Sequence, residues 1–292
     1  MWKIYSAAAD SRTGSTQQGA SIVRKNGNLW KKNDRFIQRD LAKTLKQISK
    51  YGRSGFYSGL IADLIVKEMK KGNGLISLED LKDYSSEYRD PVSGTYHDYD
   101  IISMGPPSSG GTLLINMLNM LEHFQLDSIG WNSSDYVHIL TEIERRAYAD
   151  RSVHMGDPDY WNVPIKMLTS KEYAKNRISD IDMKKATLST SISASSTSRY
   201  ESPETTHYSI VDQWGNAVSV TTTINLSYGN GHVVEGAGFF LNNEMDDFSS
   251  KPGVPNAFGL IGNEANAIKP EKRPLSSMTP TIVLKDKKPF MV

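Results

Sequence analysis

The chain has 292 residues, 38% of them hydrophobic and 23% charged, with 34 basic side chains against 33 acidic. That length suits one large or two ordinary domains, and a formal net charge of +1 supplies no electrostatic footprint for nucleic acid. Cysteine is absent, which excludes disulfides, thiolate nucleophiles, zinc fingers and iron–sulfur clusters together.

In chain order, Met1–Asp10 has no apolar core of signal-peptide length. Ile37, Leu41, Leu45 and Ile48 recur at helical spacing, and Leu60, Leu64 and Met69 continue the pattern after Gly52 and Gly55, predicting two helices. Gly72-Asn73-Gly74 stops the second. Ser77-Leu-Glu-Asp80 then reads as an N-cap with an acidic first turn. The period changes to two over Gly94–Ser103, a strand pair. Gly105-Pro-Pro-Ser-Ser-Gly-Gly111 breaks it and launches a helix over Thr112–His123. Its two prolines remove the backbone donors a phosphate cradle needs, so it reads as a structural turn packing helix against strand. Leu113–Leu121, interrupted by Asn116 and Asn119, is too short for a membrane span. A further amphipathic helix carries Val137, Leu140, Ile143 and Ala147 on one face.

Between Thr187 and Ser202 serine and threonine dominate, as in a linker. After it Thr205–Asp212 and Ala217–Leu226 are rich in β-branched residues and flank the turn Gln213-Trp-Gly-Asn216, predicting a hairpin centred near Trp214. That centre sets Thr205 opposite Thr223; a one-residue slip would change the pair.

The common chemical motifs are missing: no P-loop, no Gly-x-Gly-x-x-Gly opening a helix, no His-Glu-x-x-His, no Gly-x-Ser-x-Gly. His97, His123, His138, His154, His207 and His232 show no metal-like spacing, so neither metal nor cofactor is expected. Thr205 stands where linker meets strand, an ordinary place for a strand-starting residue. A threonine hydroxyl is also a competent nucleophile when a base lies beside it. Cutting the chain before the threonine supplies one, its own α-amine, whose pKa of about 7.7–8.0 suits a general base at neutral pH.

Six runs together resemble one family. They are Gly105–Gly111, Ala147-Tyr-Ala-Asp-Arg-Ser152, Thr205-Thr-His-Tyr-Ser-Ile-Val-Asp212, Leu241-Asn-Asn-Glu-Met-Asp-Asp-Phe248, Lys251-Pro-Gly-Val-Pro255 and Lys272-Arg-Pro-Leu-Ser-Ser-Met-Thr-Pro280. The chain is similar to the γ-glutamyltranspeptidase (glutathione hydrolase) family along essentially its whole length. The resemblance implies an α+β, N-terminal-nucleophile hydrolase fold, an αββα four-layer sandwich that is incomplete in this chain. It implies self-cleavage at Glu204–Thr205. The two parts are residues 1–204, mostly helical and ending in the linker, and residues 205–292, β-rich and opening with the nucleophile. Thr205 would attack the γ-glutamyl carbonyl of glutathione or a related compound, and water or an amino acid or dipeptide amine would accept the acyl group. Thr223 would orient the nucleophile. Asn225, Glu244 and Asp247 would receive the substrate's α-ammonium, and Ser276 and Ser277 its α-carboxylate. Pro252–Asn263 would form a lid, with Phe258 as its gate. The family is exported to the periplasm or cell surface.

Two family features lack a counterpart. One is an arginine motif clamping the α-carboxylate, and the other a Gly-rich stretch beyond Val292 whose amides form the oxyanion hole. The expectation is therefore an internal fragment with weak or no turnover by itself, and with unpaired edges and exposed apolar faces. Two other readings differ in class or substrate: a non-catalytic remnant, and an acylase for glutaryl groups on a β-lactam nucleus. The glutaryl group has no α-ammonium, so Asn225, Glu244 and Asp247 favour a glutamyl substrate.

Overall fold

A computed structural model describes residues 22, 24–25, 28–192, 205–251, 253–254 and 261–292. The chain divides into two compact units, one of Met1–Tyr88 with Thr223–Asn243, the other of Arg89–Thr222 with Glu244–Val292. The division follows packing and does not coincide with the boundary at residue 204, which is drawn on the expected self-cleavage. Linker residues 193–204 and lid residues 252 and 255–260 lie outside the described residues.

In the first unit, short strands β1 (Arg24–Lys25) and β2 (Asn28–Leu29) pair antiparallel. They precede helices α1 (Arg39–Tyr51), α2 (Ser54–Tyr57), α3 (Gly59–Lys71) and α4 (Leu78–Asp83). Ser77 caps α4 as expected, and Asp80 reaches back to close a capping box. The helix faces differ from the sequence reading by about one residue. On α3 the buried row is Ile61, Ile65 and Glu68, while Leu60 is exposed. That row meets Val234 and Ala237, which belong to a later part of the chain that helical periodicity cannot see. On α1, Leu45 is exposed and Thr44 is buried, because its hydroxyl donates to the Ala237 carbonyl (2.8 Å). Ile37 lies before the helix and is exposed.

The second unit holds an antiparallel sheet of β3 (Val92–Tyr96), β4 (Tyr99–Ser103), β7 (Thr281–Lys285) and β8 (Lys288–Met291), in the order β3-β4-β7-β8. The strand pair expected over Gly94–Ser103 is β3 with β4. Helices α5 (Gly110–Leu121), α6 (Leu126–Ile129), α7 (Ser134–His154), α8 (Ile165–Leu168) and α9 (Lys171–Arg177) complete the helical part. α5 starts two residues earlier than expected and presses Ile115 among Val92, Ile101 and Val283 of the sheet. On its other side Leu113 and Met120 join Ile139, Ile143 and Ala147 of α7 and Ala174 of α9. The α7 core row is thus Ile139-Ile143-Ala147; Val137 is exposed, since it lies two residues before Ile139 and so on the opposite side of the helix. Hairpin β5 (Thr206–Val211) and β6 (Ala217–Thr222) pairs antiparallel, and β5 is exposed along its length. The mixture of helices and antiparallel strands agrees with the expected mixed class. Among the described residues no helix is long and apolar enough to cross a membrane.

Ile143 is fully buried at the meeting of three helices. Ile143→Ala is expected to cost about 2–5 kcal/mol, read by urea denaturation followed through tryptophan fluorescence. A cost near zero would mean that α7 does not pack as described.

Candidate active site

The hairpin ladder runs from Val211↔Ala217 to Thr206↔Thr222. This is the register centred on Trp214, so Thr205 immediately precedes the last pair and Thr223 immediately follows it. Thr205 falls in the second unit and Thr223 in the first. The ladder stops because the backbone leaves the strand: Asn225 takes φ +71 and donates its amide to Thr223 Oγ1 (2.9 Å). A left-handed asparagine is tolerated in a turn and does not continue a strand, so the β run expected to Leu226 ends at Thr222. Asn225 is buried, and its side-chain amide donates to the Asn243 carbonyl (3.2 Å). Near the nucleophile candidate, His207 shares hydrogen bonds with Thr221 Oγ1 (2.8 Å) and Ser209 Oγ (3.3 Å). Both its ring nitrogens are thereby engaged. Glu204 and Phe258 lie outside the described residues.

In the second unit, Glu244 and Asp247 share a single 3₁₀ turn, Glu244–Asp247, and both are half-buried. Burial pushes the Glu244 carboxyl above its ordinary value. It does the same to Asp247, up to about 7; Arg151 pulls the other way, while the Glu244 and Asp246 carboxylates add to the rise. Burial thus disfavours the charge on both carboxyls, and a cation bound beside them would favour it.

The backbone of Ser276 is held by the turn that opens α5. Ser109 N and Ser109 Oγ both donate to the Ser276 carbonyl (2.9 and 3.0 Å), and Ser276 N donates to the Pro107 carbonyl (3.1 Å). Ser108 Oγ donates to the Met278 carbonyl (2.7 Å). The Gly105–Gly111 run is therefore the structural turn expected, and the strand-like segment it grips is Ser276–Met278. A Cβ at Gly110 would sit on Thr279 Oγ1 and the Met278 carbonyl, and one at Gly111 on the Met104 carbonyl, so both positions require glycine. The side-chain hydroxyls of Ser276 and Ser277 take no part in this grip.

Asn266, buried to 3% exposure, joins the acidic turn to the serine segment. Its Nδ2 donates to the Asp247 carbonyl (2.7 Å), and its Oδ1 accepts from Leu275 N (3.1 Å). Lys272 reinforces the same corner by donating to the carbonyls of Ala265 and Ala267 (both 2.9 Å), and buried Asp157 accepts from Arg273 N (2.8 Å). Glu244, Asp247, Ser276 and Ser277 are thus brought onto one braced support. Thr223 and Asn225 belong to the other unit and are described by themselves. Sequence reasoning missed Asn266, Ser109 and Arg151. Only Arg151 left a trace: it continues the four-residue row Ile143-Ala147, a charge where an apolar residue is due. Among the described residues no group of three or more His, Asp or Glu converges to hold a metal ion.

Because folding raises the Asp247 pKa above the roughly 3.9 of an unfolded chain, the folded state holds that proton more tightly. The stability this contributes is complete below about pH 4 and is lost as pH rises toward about 7. Asp247→Asn, neutral throughout, is expected to exceed the parent in denaturation midpoint at pH 8, with the gap closing near pH 4. An equal gap at both pH values would show that burial does not govern this carboxyl.

The sequence matches the family described as Gamma-glutamyltranspeptidase over residues 3–292. It is 49% identical over 276 residues to the glutathione hydrolase proenzyme of Escherichia coli K12, an alignment covering 94% of this chain and 48% of that protein. Among solved structures it is similar to the γ-glutamyltranspeptidase of Helicobacter pylori, with 43% identity and a TM-score of 0.62 over 65% of this chain and 55% of that one. A cephalosporin acylase from Bacillus halodurans aligns at 25% identity with a TM-score of 0.81, over 99% of this chain and 50% of that one. The chain spans about half the length of the curated relatives it matches. With a match that runs through the hairpin, the acidic turn and the serine segment alike, the chain belongs to the γ-glutamyltranspeptidase family.

Proposed function

We propose that the chain carries the centre of an autoprocessing γ-glutamyl hydrolase and transferase, with Thr205 as nucleophile after cleavage of Glu204–Thr205. The observation that supports it most is the bracing of the Asp247 backbone to that of Leu275, next to Ser276, through Asn266. An acidic turn and a hydroxyl-bearing segment tied together through the backbone can address the two charges of one α-amino acid. In this reading Asn225, Glu244 and Asp247 take the glutamyl α-ammonium, Ser276 and Ser277 take its α-carboxylate, and Thr223 orients Thr205. The freed α-amine of Thr205 accepts the hydroxyl proton as Oγ bonds to the γ-carbonyl carbon. That proton then goes to the departing amine as the amide C–N bond breaks. Water releases glutamate from the ester, or an amino acid or dipeptide amine takes the γ-glutamyl group. No cofactor is needed.

The names of the relatives support parts of this reading. Glutathione hydrolase points to glutathione as donor, and proenzyme to a precursor cut into two subunits, here residues 1–204 and 205–292. The αββα four-layer sandwich, a lid gated by Phe258, and export to the periplasm or cell surface belong to the same proposal. An acylase taking a glutaryl group is the neighbouring alternative, since an acylase shares the fold. It is disfavoured by the acidic turn, which a group without an α-ammonium would not use.

Two measurements test the reading. Intact mass under denaturing conditions is expected to give two species, of 204 and 88 residues, and Thr205→Ala a single unsplit chain. One uncut species from the parent would remove Thr205 as nucleophile. Reversing the charge with Asp247→Lys is expected to abolish binding of L-glutamate while sparing glutarate, read by calorimetry; equal loss of both would contradict the role given to the acidic turn.

A further inference from the structure

Arg151 is a cation that the mechanism above does not use, and it is only 5% exposed. Taking a guanidinium out of water is expensive unless a carboxylate compensates it. Its neighbours in the same unit follow that rule. Arg146 pairs with Glu142 and Asp180, and Arg177 with Asp150 (2.9 Å). Among the described residues Arg151 has no carboxylate at ion-pair distance. Its Nε donates instead to Ser109 Oγ (3.0 Å), and that hydroxyl in turn donates to the Ser276 carbonyl (3.0 Å). Its charge also acts on Asp247. One buried guanidinium thus reaches both ends of the candidate α-amino-acid clamp: the serine segment by a two-bond relay, the acidic turn through space.

We propose that Arg151 is a positioning residue of the glutamyl clamp, fixing Ser276 through Ser109 and serving as the cation of the acidic turn. This rests on the function proposed above. The two effects are separable. The relay needs the Nε–H of a guanidinium and acts on the carboxylate end of the ligand. The charge needs only a cation and acts on the ammonium end, where burial together with Glu244 and Asp246 works against ionisation. On the arginine side the other titratable group acting on it is Tyr148.

The probes are L-glutamate and glutarate, which differ by the α-ammonium, titrated calorimetrically into the full chain across neutral pH. The parent is expected to prefer glutamate, with affinity rising as pH climbs and levelling once Asp247 is ionised, near pH 7. Arg151→Met should reduce that preference by about tenfold or more and move the pH midpoint upward. Arg151→Lys keeps the cation and loses the relay, and Ser109→Ala loses the relay alone. Both should weaken the two ligands alike and leave the midpoint where it was. A merely structural arginine would weaken binding without this split. Should Arg151→Met not fold, the other two variants still decide the matter. The inference is overturned if Arg151→Met retains the parent's preference and midpoint, or if Arg151→Lys and Ser109→Ala bind both ligands as the parent does. A parent that does not distinguish glutamate from glutarate overturns the proposed function, and this inference with it.

Discussion

The segment Ser276–Met278 is held in place by hydrogen bonds from the turn Gly105–Gly111, and the geometry of the second unit depends on that grip. Ser108 and Ser109 donate to the Met278 and Ser276 carbonyls, and Ser276 donates to the Pro107 carbonyl. The same turn opens α5, so the helix that packs Ile115 onto the sheet and Leu113 onto α7 also anchors the serines. A few residues on, Ser103 Oγ donates to the Pro280 carbonyl (3.0 Å) just before β7 pairs with β4. Sheet, helix and serine segment are therefore set by one short stretch. Small residues are obligatory there, since a side chain at Gly110 or Gly111 would occupy the space of the backbone it holds.

From the serine segment the constraint passes to the acidic turn through Asn266. An asparagine suits this position because its amide presents a donor and an acceptor on one rigid plane. The donor takes the Asp247 carbonyl, the acceptor takes Leu275 N, and the separation between the two loops is fixed by the width of the amide. Leucine would fill the volume and leave two backbone groups unsatisfied, at a cost of about 1–3 kcal/mol each.

Several of these features were legible in the sequence, for local reasons. The hairpin register followed from the symmetry of a turn centred on Trp214, and Ser77 announced an N-cap because it and the acidic residues behind it lie within one turn. The Gly-Pro-Pro run was readable as structural because proline lacks the donor a phosphate would need. The faces of α1 and α3 were misjudged by a residue, since what buries them is the chain near Val234 and Ala237, far away in sequence. Ser109 and Ser276 are separated by 167 positions. No periodicity encodes such a pair, and small polar residues in loops look alike until the fold brings them together. The bounds of β6 failed at a single residue, Asn225, whose left-handed backbone ended a run that composition alone would have extended.

The electrostatics of the second unit separate structure from chemistry by how each charge is compensated. Glu142, Arg146 and Asp180 satisfy one another, and Glu142 also accepts from Thr187 N (3.0 Å), tying α7 to the chain beyond α9. Such a network contributes rigidity and leaves no charge to offer. Asp247 and Arg151 are arranged otherwise. Burial opposes the ionisation of Asp247, and the Arg151 charge favours it without closing an ion pair. Burial without pairing lowers stability, and a folded chain carries that penalty most readily where a charged ligand can relieve it. In the proposed reading that ligand carries a positive charge toward the acidic turn and a negative one toward the serines. That is the polarity of an α-amino acid, and it is the physical reason the glutamyl reading is preferred to the glutaryl one.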